Sequence, residues 1–214
     1  MTQMVRVHNF GVSRDGYAAG AGQSLERPFG HADPMALMGW AAATASWPNR
    51  TGPGGSRGLE DYLVRDFHRN IGAEIMGRNK FGPQRGPWTD HEWQGWWGQE
   101  PPFHTPVFVM TNHERPSFAL ADTTFHFVGG DPAAVLKLAL EATDGKDVRL
   151  GGGANTVRQF LDAGLIDTLH VAVTPVELGA GSRLWDSPGE LLNRYSCDVV
   201  PGSNGVVHHL FWRP

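Results

Sequence analysis

A short apolar strand that runs into three consecutive glycines and then into a helical pattern constrains this chain more than any other feature. Val148 to Leu150 reads as the strand and Gly151, Gly152 and Gly153 as the turn. Ala154 to about Ala163 reads as a helix that Gly164 stops, and Thr168 to Val173 as the next strand. A strand, a crossover helix and a second strand lie parallel in one sheet, with helices covering the sheet. The junction also suits phosphate, because glycines let the backbone come close and a helix N-terminus offers unpaired N–H groups and a positive dipole end. By itself, the triplet equally suits the tight connection of any α/β protein.

The remaining chain fits the same class. Met4 to Phe10 alternates as a strand and is followed by a loop with a turn at Asp15-Gly16. Asp33 and Pro34 start a helix as N-cap and first residue. Leu59 to Asn70 reads as a helix with Leu59, Leu63 and Phe67 on one face. Ala73 to Met76, Pro106 to Thr111 and Phe125 to Val128 are strand candidates, and Asp131-Pro132 starts a helix that ends near Thr143, with Gly145 as its C-cap. Tyr195 to Val200 and Gly205 to Trp212 form a closing hairpin. Between Phe81 and Pro106 lies a stretch with no periodicity that holds Trp88, Trp93, Trp96, Trp97 and Phe103, and long loops of this kind are usually functional. The expected architecture is one α/β domain over residues 1–214, with a mainly parallel central sheet, helices on both faces and an antiparallel C-terminal hairpin.

Composition removes several function classes. Eighteen Lys and Arg against 22 Asp and Glu give a net charge of −4, with no electrostatic footprint for nucleic acid or an anionic membrane. No apolar run is long enough to span a bilayer, and the N-terminus lacks an apolar signal core. The single Cys197 excludes an internal disulfide and reads as a small core residue. A cytoplasmic protein is expected. The histidines show no metal-ligand spacing, and His208 and His209 point to opposite faces of a strand, so no metal site is expected. Gly202-Ser203-Asn204-Gly205 is a hairpin turn rather than a nucleophile elbow. No Gly-x-Gly-x-x-Gly follows the first strand, which argues against a Rossmann dehydrogenase.

Linked motifs in order carry a resemblance. Gly152-Gly153, Gly164-Leu165-Ile166-Asp167 and Pro175-Val176-Glu177-Leu178-Gly179-Ala180-Gly181 resemble the C-terminal half of the riboflavin-biosynthesis reductases, a branch of the dihydrofolate reductase-like superfamily. The resemblance implies the three-layer fold of that superfamily, NADPH as cofactor and a homodimer. Its Met-Gly-Arg turn is matched by Met76-Gly77-Arg78, with Arg78 toward a phosphate, and its hydroxyl-bearing strand end by Met110-Thr111, followed by Asn112. With Ala18, Leu150, Gly151, Gly152, Gly153, Ala154, Asn155 and Thr156, these residues would hold the cofactor. Ser13-Arg14-Asp15-Gly16-Tyr17-Ala18-Ala19 resembles the family's Ser-Leu-Asp-Gly loop, with Arg14 in place of Leu, so Asp15, Gly16 and Tyr17 would border the substrate. Thr174 matches a threonine of the substrate pocket.

Hydride transfer to a C=N or C=O bond also needs a proton. Dihydrofolate reductases carry an acid on the first long helix. Here that helix has Glu60, Asp61 and Asp66, and the family's acidic position falls near the apolar Leu63. Asp61 and Asp66 stand about 140° apart on a helix and cannot both face one pocket. The candidates for proton delivery are therefore Asp61, Asp66 or, preferred, a water held by Thr174. No deaminase half is expected within these residues, since no His-x-Glu with Pro-Cys-x-x-Cys occurs in them. The resulting expectation is an NADPH-dependent reductase of a small pyrimidine- or pterin-like heterocycle, or of a carbonyl or imine. Stacking on the tryptophans would suit a flat substrate. The alternative is a non-catalytic nucleotide-binding or scaffold protein that kept the fold.

Overall fold

A computed structural model describes residues 3–214. Its strands are β1 (Val5–Val12), β2 (Tyr17–Gly20), β3 (Ile71–Gly77), β4 (Pro106–Met110), β5 (Phe118–Leu120), β6 (Thr123–Val128), β7 (Asp147–Gly152), β8 (Thr168–Val173), β9 (Gly181–Arg183), β10 (Ser196–Pro201) and β11 (Val207–Trp212). Its α-helices are α1 (Pro34–Ala42), α2 (Leu59–Arg65), α3 (Arg78–Phe81), α4 (Pro132–Glu141) and α5 (Ala154–Asp162). Nine strands form one sheet in the order β10-β11-β8-β1-β7-β3-β4-β6-β5. The six strands from β8 to β6 pair in parallel, while β5 and the β10–β11 hairpin add antiparallel edges. Strands β2 and β9 make a separate two-stranded ribbon.

Helices cover both faces. On one face, Val5, Val7, Ile75, Val148 and Leu150 pack against Val135 and Leu136 of α4 and Val157 and Phe160 of α5. On the other face, α1 and α2 bury Trp40, Ala41 and Val64 over Ala172. Beside them Met76, Val107 and Val109 pack under Phe81, Trp88 and Phe103. Two helix starts follow from side-chain caps: Asp33 accepts the Met35 N–H and Asp131 the Ala134 N–H, each at 2.9 Å, with proline next in the chain.

Several boundaries differ from the sequence expectation. β7 does not stop at Leu150 but runs through Gly151 and Gly152. α2 ends at Arg65, and a short 3-10 turn over Asp66–His68 leads to Asn70 at φ 58°. Its buried face carries Asp61 and Val64 rather than the Leu59, Leu63 and Phe67 row, because Phe67 leaves the helix to cover Arg149. α4 ends at Glu141 with Ala142 as C-cap, so Gly145 lies in the following turn. β2, β5 and β9 are strands of three or four residues, too short to show a periodicity in the sequence. The tryptophan excursion folds back onto the sheet: Trp93 donates to Phe81 O at 2.9 Å and Trp96 to Lys80 O at 2.8 Å.

β1 carries the irregularity that shapes the site. Its register with β8 slips between Val7 and Phe10, and Asn9 adopts φ 56° there. A bulge of this kind breaks the strict in–out alternation. As a result His8, Asn9, Phe10 and Gly11 all reach the same cavity.

Candidate active site

A cavity of about 930 Å³ opens on the face covered by α1, α2 and the tryptophan excursion, at the carboxyl ends of β3, β4 and β7. Ligands of open α/β sheets bind at such ends. At one side stands the N-terminus of α5. Among the described residues Gly153 caps it without any side-chain hydrogen bond, and apart from its chain neighbours nothing lies within 4 Å of where a Gly153 Cβ would sit. Ala154, Asn155 and Thr156 line the cavity next to it, with Gly77, Arg78, Thr111 and Asn112 from the neighbouring strand ends. Arg78 donates to Gly86 O at 2.5 Å and stacks on Trp88 at 3.8 Å. Its Nε and Nη2 are buried without a partner among the described residues.

Deeper in the cavity lies an ion cluster. Glu74 of β3 and Arg149 of β7 sit opposite each other in register and form an ion pair, with both side chains only 2% exposed. Lys80 of α3 donates to Glu74 Oε1 at 3.2 Å and to Gly151 O at 2.8 Å. Gly151 is bare for a reason: a Cβ there would collide with Glu74 Oε1 and Lys80 Nζ. Phe67 lies over the Arg149 guanidinium at 3.4 Å, and Phe103, Trp96 and Trp97 continue the aromatic wall. Burial holds the Lys80 ammonium below its ordinary range, partly offset by Glu74. Burial, then the charges of Arg6 and Arg149, push His8 down to about 3, so its imidazole is neutral. Among the described residues that line the cavity, four are cationic (Arg78, Lys80, Arg85 and Arg149) and none carries a carboxylate.

The RibD C-terminal domain matches residues 6–206. The chain belongs to that family. The RibD C-terminal fold is shared by a putative riboflavin biosynthesis protein from Shewanella sp. PV-4, which is 20% identical with a TM-score of 0.56 and covers 100% of this chain and 99% of that one. A pyrimidine reductase-like protein from Corynebacterium diphtheriae is 14% identical with a TM-score of 0.53, covering 100% of this chain and 92% of that one. The uncharacterized protein YyaP of Bacillus subtilis is 32% identical over 72 residues, a match that spans 34% of this chain and 38% of that protein. Membership places the chain in a reductase-like family of α/β proteins. No helix of the described residues is long and apolar enough to cross a membrane.

The RibD-type motifs divide on the structure. Ala18, Gly77, Arg78, Thr111, Asn112, Gly151, Gly153, Ala154, Asn155 and Thr156 all line the cavity. Leu150 faces the opposite core, and Gly152, at φ +104°, packs against Phe10 just behind the wall. The residues expected beside the substrate stand elsewhere. Asp15 accepts hydrogen bonds from Ser13 Oγ at 2.6 Å, Gly179 N at 2.7 Å and Leu178 N at 3.1 Å, which ties its loop to the segment before β9. Desolvation works against that carboxylate, but these bonds outweigh it and hold its pKa below the ordinary value. Gly16 abuts Trp185, and Tyr17 stacks under Arg183 at 5.3 Å.

The proposed proton donors are also outside the cavity wall. Asp61 accepts the Ser46 N–H at 2.7 Å and anchors the loop after α1. Asp66 pairs with Arg69 at 3.7 Å. Thr174 is buried, and its hydroxyl donates to Val12 O at 3.2 Å. Glu74, Lys80, Arg149, His8 and the cavity role of Phe67 carry no motif in the sequence. A signal existed for two of them: a charge in the middle of an apolar, centrally placed parallel strand, as in Gly72-Ala73-Glu74-Ile75-Met76 and Val148-Arg149-Leu150, has no solvent to face.

Proposed function

We propose that the protein is an NADPH-dependent reductase that delivers a hydride to a C=N or C=O bond of a small flat heterocycle of pyrimidine or pterin type. One observation carries the reading. A single cavity joins an uncapped helix N-terminus beside a glycine turn, a partnerless arginine edge and an aromatic-walled recess, so two ligands of different chemistry fit side by side. The cofactor's anionic groups match the first two features: Gly153 and the first turn of α5 would hold the pyrophosphate, and Arg78 the ribose phosphate. NADPH, when bound, supplies the hydride.

The chain's own residues supply position and exclusion of water. Phe67, Trp96, Trp97 and Phe103 give flat surfaces on which a heterocycle stacks. Proton delivery falls to water admitted to the cavity, because no carboxylate among the described residues lines it. On the family resemblance, the proposed reductase is a cytoplasmic homodimer that binds neither nucleic acid nor membrane. The missing carboxylate also favours a second reading, a nucleotide-binding protein without turnover. The test is binding of NADPH by fluorescence, followed by a screen of pterins, pyrimidinones and simple carbonyls for loss of NADPH absorbance. Turnover with any of them supports the reductase; binding without turnover across the panel favours the second reading; absence of NADPH binding overturns the reductase.

A further inference from the structure

The charges at the centre of the cavity do not balance. Glu74 faces two cations, Arg149 and Lys80. The nearby imidazole of His8 is neutral, and Arg6 is already matched with Asp147 at 3.2 Å. One positive charge is therefore left over: Phe67 and Phe103 cover Arg149, whose side chain is 2% exposed, while the Lys80 side chain is 29% exposed, and a largely buried charge without a partner is unfavourable. Its donors are not all used. Arg149 Nε and Nη1 have no partner among the described residues, although the side chain is 2% exposed. Lys80 Nζ uses two acceptors, Glu74 Oε1 and Gly151 O, and an ammonium carries three N–H groups.

We infer that Arg149 and Lys80 form the seat of an anionic group on the substrate, so that the ligand is a planar heteroaromatic carboxylate. The inference deepens the reductase reading by naming its substrate class. The seat is separate from the phosphate-holding end. Arg149 precedes Gly151 by two residues in β7, which sets its Cα roughly 6–7 Å further down the strand than the glycine turn, and Lys80, bonded to Gly151 O, closes the seat on the side of that turn. Its surroundings are aromatic rings, which accept the face of a flat ring and offer nothing to a phosphate: Phe103 lies 5.8 Å from the Arg149 guanidinium and 6.0 Å from Lys80 Nζ. Glu74 holds both cations in place and limits the excess to a single charge, which suits a monoanion.

Matched ligand pairs test this. With NADPH present, tryptophan fluorescence is used to titrate pterin-6-carboxylate against 6-hydroxymethylpterin, and orotate against uracil. The acid of at least one pair is expected to bind tenfold or more tightly than its neutral partner. Lys80→Met, which keeps the Glu74–Arg149 pair, and Arg149→Gln should each reduce that preference to under threefold while NADPH affinity is kept. Glu74→Gln, which removes the single negative charge and leaves both cations, should tighten the acid and leave the neutral ligand unchanged; an ion cluster that is only structural would not produce this gain. Equal affinities within both pairs, no binding of either acid, or a preference that survives in Lys80→Met overturns the inference. Inorganic phosphate that displaces the acid as effectively as more acid does would assign the seat to free phosphate and overturn the aromatic class. The two readings fail differently: NADPH oxidation without acid preference sinks the seat alone, and acid preference without oxidation sinks the reduction alone.

Discussion

His170 Nε2 lies 3.0 Å from His208 Nδ1 in the buried space between β8, β11 and α1. His170 Nδ1 lies 3.3 Å from the Asn9 backbone nitrogen and 3.2 Å from Asn9 Oδ1, so Asn9 and the two imidazoles form one buried polar row. His208 Nε2 then faces Glu60 at 4.0 Å, and the Trp40 indole edges both rings at 5.7 and 5.1 Å. The bulge at Asn9 that opens the cavity is thus held in place by two neutral histidines.

Those histidines make stability depend on pH. Burial, followed by the nearby His208, holds His170 well below its ordinary range; burial also lowers His208, against the opposing pull of Glu60. His8 stands at about 3. An unfolded histidine titrates near 6.5. Between that value and the lower folded ones, the unfolded chain binds protons that the folded chain does not. The stability contribution is therefore full above pH ~6.5 and is lost as the pH falls through the folded values, at up to about 1.4 kcal/mol per pH unit for each group. Urea unfolding should show the midpoint dropping steadily from about pH 7 to about pH 5. A flat profile across that window would contradict the neutral-histidine assignment.

The three sequence-suggested proton donors lie outside the cavity wall, and this predicts their mutants. Asp61→Asn should lower stability by loosening the Ser46 loop, with a loss of about 1–3 kcal/mol for a buried acceptor bond to a charged group. Its turnover at saturating substrate should stay within about threefold of wild type, and the same holds for Asp66→Asn and Thr174→Val. A fall of ~10²-fold in either Asp variant, with NADPH affinity intact, would name that residue as the acid, and the same fall in Thr174→Val would assign proton delivery to a water held by Thr174.

The contrast between what was readable and what was not has a physical cause. Motifs made of backbone, such as the Gly151–Gly153 turn and the Asp33-Pro34 and Asp131-Pro132 helix starts, are local, so sequence alone shows them. The ends of three distant strands at Gly77, Thr111 and Gly153 were also placed together, because a parallel sheet brings its carboxyl ends to one side. The charged centre needed register. Glu74 and Arg149 are far apart in sequence, and only the pairing of β3 with β7 sets them opposite each other. Helix periodicity misled at α2, where the buried residue is a carboxylate used as a loop anchor and the apolar Phe67 serves the cavity instead. At the Asp15 loop, side-chain identity matched the family motif, while the hydrogen bonds to Leu178 and Gly179 show a tie between loops.

A homodimer is expected through the C-terminal edge of the sheet. Among the described residues β10 has β11 on one side and no strand on the other, and its Val199 is 58% exposed. Open edges with exposed apolar residues invite pairing. Light scattering at micromolar concentration should give twice the chain mass, and Val199→Lys should shift it toward the monomer. A wild-type monomer would refute the dimer; a dimer unaffected by Val199→Lys would move the interface elsewhere.

Arg78 should set the choice between NADPH and NADH. Its guanidinium is stacked on Trp88 and tethered by one bond to Gly86 O, which fixes the plane and leaves Nε and Nη2 partnerless at the cavity edge. Burial pulls its pKa down from the ordinary arginine value, yet an arginine in a protein stays charged. A pre-oriented fork of this kind suits a phosphate and has nothing equivalent to bind on the bare ribose of NADH. A charge-assisted hydrogen bond is worth about 1.5–3 kcal/mol, so Arg78→Ala should weaken NADPH about tenfold or more and leave NADH nearly unchanged. Arg78→Lys keeps the charge but loses the plane and the stack, and should recover part of the preference. Arg85 also lines the cavity and serves as the control: its alanine variant should shift both cofactors by less than Arg78→Ala shifts NADPH. Equal weakening of NADPH and NADH in Arg78→Ala would show that the residue shapes the cavity wall through Trp88 and does not read the phosphate.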